Sequence, residues 1–315
     1  MSYRHGSLAR VSRPLLLVDA ASLYFRAFHG IPASITAPDG TPVNAARGFL
    51  DMLAQLIRTR GPDRMVCCLD ADWRPAWRVA LIPSYKAHRL AADGGEEVPE
   101  ALSPQVPIIL DALRAVGIAS LGAPGCEADD IIGALATREP GPVEVATGDR
   151  DLFQVIDDDR QVRVLYCGRG VAKLEVYDDA TLHGRYGVHP AQYVDFAVLR
   201  GDPSDGLPGV AGIGDKTAAG LITRYRTLDA LLAAVDGADP AVRPAQARKL
   251  AAARDYLAVA PRVVAAGAEA QVPAVDTALP TVPADEQQLL ALAERWNLAS
   301  PLTRLTDALS ETASA

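Results

Sequence analysis

Two short apolar runs each end in an acid: PLLLVDA (Pro14 to Ala20) and RMVCCLD (Arg64 to Asp70). Neither alternates polar with apolar, so both read as strands buried on two faces. Between them, VNAARGFLDMLAQLIRTR (Val43 to Arg60) carries apolar residues at helical spacing and runs into Gly-Pro, a stop signal. The pattern then predicts a helix from about Pro104 to Val116, a short strand near Gly117 to Leu121, a helix opening at Glu127, and a strand in PVEVATGD (Pro142 to Asp149). Strands alternating with helices imply an α/β fold with a mostly parallel sheet flanked by helices.

From about Asp178 the texture changes to helical segments punctuated by Gly and Pro, and an all-helical region is expected. Pro190 to Tyr225 reads as helix, glycine-rich hairpin, helix, and the alanine-rich tract Ala230 to Ala270 as helical. QVPAVDTALPTVPAD reads as an extended connection, Glu286 to Trp296 as a last helix, and the polar tail LSETASA as disordered.

Composition adds limits. A chain of 315 residues, 49% hydrophobic, can bury a full core in one large domain or two ordinary ones. No apolar run approaches the roughly 20 residues of a membrane span, and MSYRHGSLARVSRP lacks the apolar segment of a secretory signal, so a cytoplasmic chain is expected. Cys67, Cys68, Cys126 and Cys167 have no metal-site spacing and read as reduced thiols.

The acids change the picture. Ligands of an open parallel sheet bind outside the carboxyl ends of its strands, where Asp19, Asp70 and Asp149 fall. Asp151 follows in TGDRD; Glu127, Asp129 and Asp130 open the helix EADDIIGALA; Asp202 and Asp205 lie in GDPSD. Singly, each can be a helix cap or a turn former. Jointly, nine carboxylates facing one crevice need cations, and an oxygen-only donor set suits Mg²⁺ or Mn²⁺. Two ions about 4 Å apart can activate water against a phosphodiester. Taking those nine negative charges out of the net −8 leaves +1, so the acidic balance does not exclude nucleic acid.

Basic residues also cluster. Arg74, Arg78, Lys86 and Arg89 interleave with Trp73, Trp77 and Tyr85 directly after Asp70, which is either the chemistry of a single-strand channel or a solvated helix with aromatic anchors. In GVAGIGDKTA, Gly209, Gly212 and Gly214 allow close backbone approach, and Lys216 and Thr217 open a helix whose N–H groups can bind phosphate. The extra residue before the Lys and the lack of a preceding strand exclude a Walker loop.

LLVDAASLYFRAFH, CLDADWRPAWRVALIPSYKAHR, EADDIIGALA, TGDRDLFQVI and GDPSDGLPGVAGIGDKTA, in this order, resemble the bacterial and phage 5′ nuclease family: the flap endonucleases and the 5′-to-3′ exonuclease domain of DNA polymerase I. The resemblance implies a PIN-like nuclease domain over 14–177 with a helical arch at about 71–103. It also implies a helix-three-turn-helix subdomain over 178–270 that grips duplex DNA, often with a bound K⁺, and a C-terminal connection and helix over 271–315. It implies a first metal group of Asp19, Asp70, Glu127 and Asp129, a second of Asp149, Asp151, Asp202 and Asp205, and Asp130 near both. Lys86 and Arg89 resemble arch residues that contact the scissile phosphate; Phe25 and Arg26 hold the places of a stacking aromatic and a phosphate-binding arginine.

Two positions depart from the family's pattern: Ala20, where a glycine is usual, and Gly206 in SDGLPGV, where SDNIPGV is usual. The implied activity is a Mg²⁺- or Mn²⁺-dependent, structure-selective nuclease that cuts 5′ flaps and free 5′ ends, RNA-primed ones included, during primer removal and repair. The implied form is a monomer, working beside a DNA polymerase or ligase. A PIN-type ribonuclease and a non-catalytic binder of branched DNA are the alternatives; the hairpin argues against the first and the full set of acids against the second.

Overall fold

The computed structural model describes residues 13–92, 94–267 and 270–314. Its centre is a six-stranded sheet built from β1 (Leu15–Asp19), β2 (Arg64–Cys68), β3 (Ala119–Leu121), β4 (Val143–Thr147), β5 (Val162–Tyr166) and β6 (Glu175–Tyr177), in the order β3-β2-β1-β4-β5-β6. All pairs are parallel except β5 with β6. The pleat sends successive residues to opposite faces, and both faces are covered. Leu15, Leu17, Val66 and Cys68 join one apolar cluster, Leu16, Val18, Met65 and Cys67 the other. That double burial is why β1 and β2 are continuous apolar runs.

One face is covered by α1 (Ala20–Gly30), α2 (Asn44–Arg60), α4 (Gln105–Val116), α12 (Glu286–Arg295) and α13 (Ala299–Ala313). α2 stops where expected: Gly61 takes the left-handed conformation (φ 59°) and its N–H closes on the Ile57 carbonyl. Its start depends on a distant residue, since the buried Gln105 Oε1 accepts from the Ala45 and Ala46 amides at 2.8 and 3.2 Å. The opposite face is covered by α5 (Ala128–Arg138), and its cluster runs on without a break into the helical half. There lie α6 (Asp179–Tyr186), α7 (Tyr193–Arg200), α8 (Asp215–Tyr225), α9 (Leu228–Asp236), α10 (Pro244–Ala252) and α11 (Arg254–Val264).

Several expectations change. β5 and β6 were not read from the sequence: β5 is interrupted by Arg163, and β6 is only three residues long. Of the tract 230–270, three helices cover the chain as far as Val264, broken between Asp236 and Pro244 and again at Ala253, and residues 268 and 269 lie outside the described ones. Among the described residues of 71–103, where a helical arch was expected, the helical pieces are α3 (Ala76–Leu81) and a 3-10 turn at Ala87–Arg89, followed by an isolated bridge between Leu90 and Glu96. The extended connection is as read and lies along the sheet, Met65 N donating to Thr277 O and Leu279 N to Asp63 O. The tail LSETASA, expected to be disordered, belongs to α13 as far as Ala313, with Ala315 outside the described residues; Leu309 of the tail, with Leu302 and Leu305 ahead of it, buries against the α2 face, each worth roughly 1.5–3 kcal/mol. Arg304 also pairs with Asp51 of α2 at 2.7 Å. All four cysteines are free, and Cys67, Cys68 and Cys167 are buried.

Candidate active site

The carboxyl ends of four adjacent parallel strands deliver the first acids. Asp19 closes β1 and caps α1, its Oδ1 accepting from Ser22 N at 3.0 Å and its Oδ2 from the Thr147 hydroxyl at 2.7 Å. Asp70 follows β2 and accepts from Ala128 N at 2.7 Å, which ties it to the start of α5. Glu127 and Asp129 follow β3. Asp149 follows β4, its N–H donating to Thr147 Oγ1 and its Oδ1 accepting from Asp151 N, both at 2.8 Å. Asp19, Asp70, Glu127, Asp129, Asp149 and Asp202 line one cleft of about 1170 Å³, together with Lys86, Arg89, Phe25 and Arg26.

Crowding shows in the protonation equilibria. Burial, then the charges of Asp70 and Asp149, lifts Asp19 to about 7 despite its hydrogen bonds. Asp129 and Asp151 are pushed well above the carboxylate range by burial and then by Asp149. Asp149 is open to solvent at the cleft floor, yet the walls around it and the charge of Asp205 raise it as well.

The set has the chemistry of a hard-cation site. It offers only oxygen donors, its charge is only partly offset by neighbours such as Lys86 and Arg89, and Asp151 Oδ1 is buried without a hydrogen-bond partner. It is not a finished cage: among the described residues no three acidic, histidine or cysteine side chains stand ready to hold an ion. Glu127, for one, is occupied. Its Oε2 accepts from Tyr85 Oη and Arg78 Nη1, each at 2.7 Å, and its Oε1 from Lys86 Nζ.

Four of the residues read from sequence as site or DNA contacts are engaged within the protein instead. Arg78 is 3% exposed, and its guanidinium forks onto Asp130 at 2.7 and 2.8 Å, with its Nε on the Val263 carbonyl at 3.0 Å. Asp130 is therefore consumed by Arg78 and by the Glu127 and Gly267 amides, beside Glu127 but outside the lining of the cleft. Tyr85 is 4% exposed, so its ring is no stacking platform. Arg74 holds the loop together, donating to the Tyr85 and Pro83 carbonyls at 2.6 and 3.0 Å. Lys86 and Arg89 do reach the cleft. Lys86 stays cationic: burial opposes its charge, but Asp205 and Glu127 outweigh that and raise its pKa.

Residues 14–187 match the 5′-3′ exonuclease N-terminal resolvase-like domain, and residues 188–287 match the 5′-3′ exonuclease C-terminal SAM fold. The chain belongs to the 5′-3′ exonuclease family. It is 53% identical over 300 residues to a 5′-3′ exonuclease of Streptomyces coelicolor, covering 94% of this chain and 100% of that protein. A Mycobacterium tuberculosis 5′-3′ exonuclease is 50% identical over 310 residues, 94% of this chain and 98% of that protein. Among solved structures, the bacteriophage T5 flap endonuclease in a pseudo-enzyme–product complex with DNA and metal ions shares the fold. Its TM-score is 0.60 at 16% identity, covering 96% of this chain and all of that one.

In this 5′-3′ exonuclease the hairpin lies in the SAM-fold half. Gly209 and Gly212 have φ of 62° and 70°, and Gly209 packs against the Arg200–Gly201 backbone so closely that any Cβ would sit 2.6 Å from the Arg200 carbonyl. Gly214 caps α8, whose first turn exposes Lys216 beside the half-buried Thr217. The Gly212 carbonyl accepts from Lys249 Nζ at 3.2 Å.

Arg200 was not read from the sequence. Its side chain is only 10% exposed, lies 3.8 Å from Asp151 and 3.6 Å from Asp202, and leaves both terminal nitrogens without hydrogen bonds. Its only signal is its place at the end of an apolar helical run, two residues before Asp202.

Proposed function

We propose that this 5′-3′ exonuclease is a divalent-cation-dependent, structure-selective 5′ nuclease that hydrolyses DNA phosphodiesters at 5′ flaps and free 5′ ends in primer removal and repair. The observation that carries the reading is a single cleft in which acids from four strand ends and from the 202–205 turn face two cationic side chains of the preceding loop. The exonuclease relatives and the DNA- and metal-bound T5 flap endonuclease support it.

Two or more Mg²⁺ or Mn²⁺ ions would be held by Asp19, Asp70, Glu127 and Asp129 and by Asp149, Asp151, Asp202 and Asp205. Bound there, such ions supply an activated water and neutralise charge on the phosphodiester. Thr147 and Ser22 fix the Asp19 carboxylate and the Gly148 amide, so the acids are oriented before substrate arrives. Lys86 and Arg89 offset the charge that builds on the phosphate, leaving 5′-phosphate and 3′-hydroxyl ends. Phe25 stacks on a base at the cleft wall and Arg26 binds a phosphate; the Arg26 Nε is buried and unpartnered, while its Nη1 is anchored on the Gly168 carbonyl at 2.8 Å. The hairpin takes the duplex backbone through Lys216, Thr217 and its glycine amides, with Lys249 competing for the carbonyl side of any K⁺ bound there. No base-reading element is needed, and shape selects the site.

The test is cleavage of 5′-flap DNA, 3′-flap DNA and single-stranded RNA with Mn²⁺ or with chelator, using the wild type and Asp149→Asn. Cutting of the 5′ flap only, abolished by chelation and reduced by the substitution, is the expected result. Preferential cutting of the RNA would establish the ribonuclease reading instead, and binding without cutting the non-catalytic one.

A further inference from the structure

We infer that Gly206 is a positioning residue: its bare Cα is the seat of the 84–89 loop, and that seat fixes where Lys86 and Arg89 stand over the carboxylates. The catalytic part of this inference rests on the 5′ nuclease reading above; the contact itself does not.

The seat is a rigid turn. Asp202 N donates to the Leu207 carbonyl at 3.0 Å, Leu207 N to the Asp202 carbonyl at 2.8 Å, and Asp202 Oδ1 accepts from Ser204 N at 2.8 Å. Onto it the loop sets four hydrogen bonds. Ser84 Oγ donates to Gly206 O at 2.8 Å and Lys86 N to Asp205 O at 2.9 Å. Arg89 Nη2 donates to Ser204 O at 2.7 Å and to Asp205 Oδ1 at 2.9 Å.

At this distance residue 206 has no room for a side chain. A Cβ there would lie 2.1 Å from the Ser84 carbonyl oxygen, 3.0 Å from its carbon and 3.3 Å from Lys86 N, all backbone atoms that cannot swing aside. The turn also needs φ of 69° at 206, which Asn tolerates well enough; the contact with Ser84 is what only glycine permits. Lys86 itself is held at φ 48°, a conformation unfavourable for a residue with a side chain, which the bond to Asp205 O helps maintain. From that backbone its ammonium reaches Glu127 Oε1. The loop is thus fixed at both ends, by the turn and by the first group of acids.

The experiment uses the full chain, wild type, Gly206→Asn and Ser84→Ala, in two measurements. Hydrogen-exchange mass spectrometry without divalent cation reads the seat, and kcat and KM on 5′-flap DNA with Mn²⁺ read its consequence. In Gly206→Asn the 84–90 amides are expected to exchange about tenfold faster or more, from the lost hydrogen bonds, while β1 and β4 exchange as in the wild type. kcat should fall about 100-fold with KM little changed, because a displacement of about an ångström at the reacting centre costs that much. Ser84→Ala, an exposed change that does not threaten folding, should move both readouts in the same direction by less, and it decides the matter if Gly206→Asn also loosens the sheet. Wild-type exchange in both variants would overturn the seat, and faster exchange with unchanged kcat would overturn its role in positioning. A wild type that leaves the 5′ flap uncut would overturn the functional reading, and the exchange data would still decide the seat.

Discussion

Arg78 and Asp19 show how differently single charges behave around this cleft. Arg78 is fully paired, so removing it strands Asp130 and Glu127 in the interior; Arg78→Met should destabilise the fold by about 3–5 kcal/mol in urea denaturation. Asp19 is the reverse case, an acid whose charge the metal-free fold penalises. Its pKa rises from 3.8 unfolded to about 7 folded, so the folded state binds the extra proton between those values. Stability from this group is therefore full below 3.8 and is lost as pH rises through about 7. With chelator present, the Tm of the wild type should fall across that window, and Asp19→Asn should flatten the fall; a wild-type Tm that rises there would contradict the assigned charge state. Nothing in EADDIIGALA distinguishes Asp129, which turns to the cleft, from Asp130, which turns to Arg78, because the partner lies 52 residues away.

Among elements, α13 and the 84–89 loop depart most from the sequence reading, in opposite directions. The polar end of the chain looked unable to order itself, yet α13 buries one narrow stripe on α2 and leaves its Ser, Thr and Glu residues to solvent. Leu305 is fully buried in that stripe, and Leu305→Ala should cost about 2–5 kcal/mol, measured by denaturation, with flap cleavage at low temperature retained because the cleft is on other elements. The longer Trp73–Arg89 stretch that ends in this loop, with its interleaved cations and aromatics, read as a single-strand channel or as a solvated helix with aromatic anchors. In the fold it is divided: Arg78 and Tyr85 face inward as a bracket for Glu127, while Lys86 and Arg89 face the cleft.

For the whole molecule, the crowded acids make the cleft a store of repulsion that a bound cation is expected to relieve. Mn²⁺ at about 100 times its dissociation constant should stabilise the wild type by about 2.7 kcal/mol, a gain visible as a rise in Tm and lost in Asp149→Asn. The sequence by itself determined the parallel α/β sheet, because runs such as PLLLVD and RMVCC are apolar on both faces, too short for helices, and alternate with helical segments. It likewise determined that Asp19, Asp70, Glu127 and Asp149 come together, since the carboxyl ends of adjacent parallel strands share one edge of the sheet. Tertiary structure alone decided which acids stay free for a ligand, which cations turn inward, and why position 206 must lack a side chain. Those outcomes depend on partners brought together from 49 to 122 residues apart, as in Arg78 with Glu127 and Ser84 with Gly206, and local pattern carries no information about such distances.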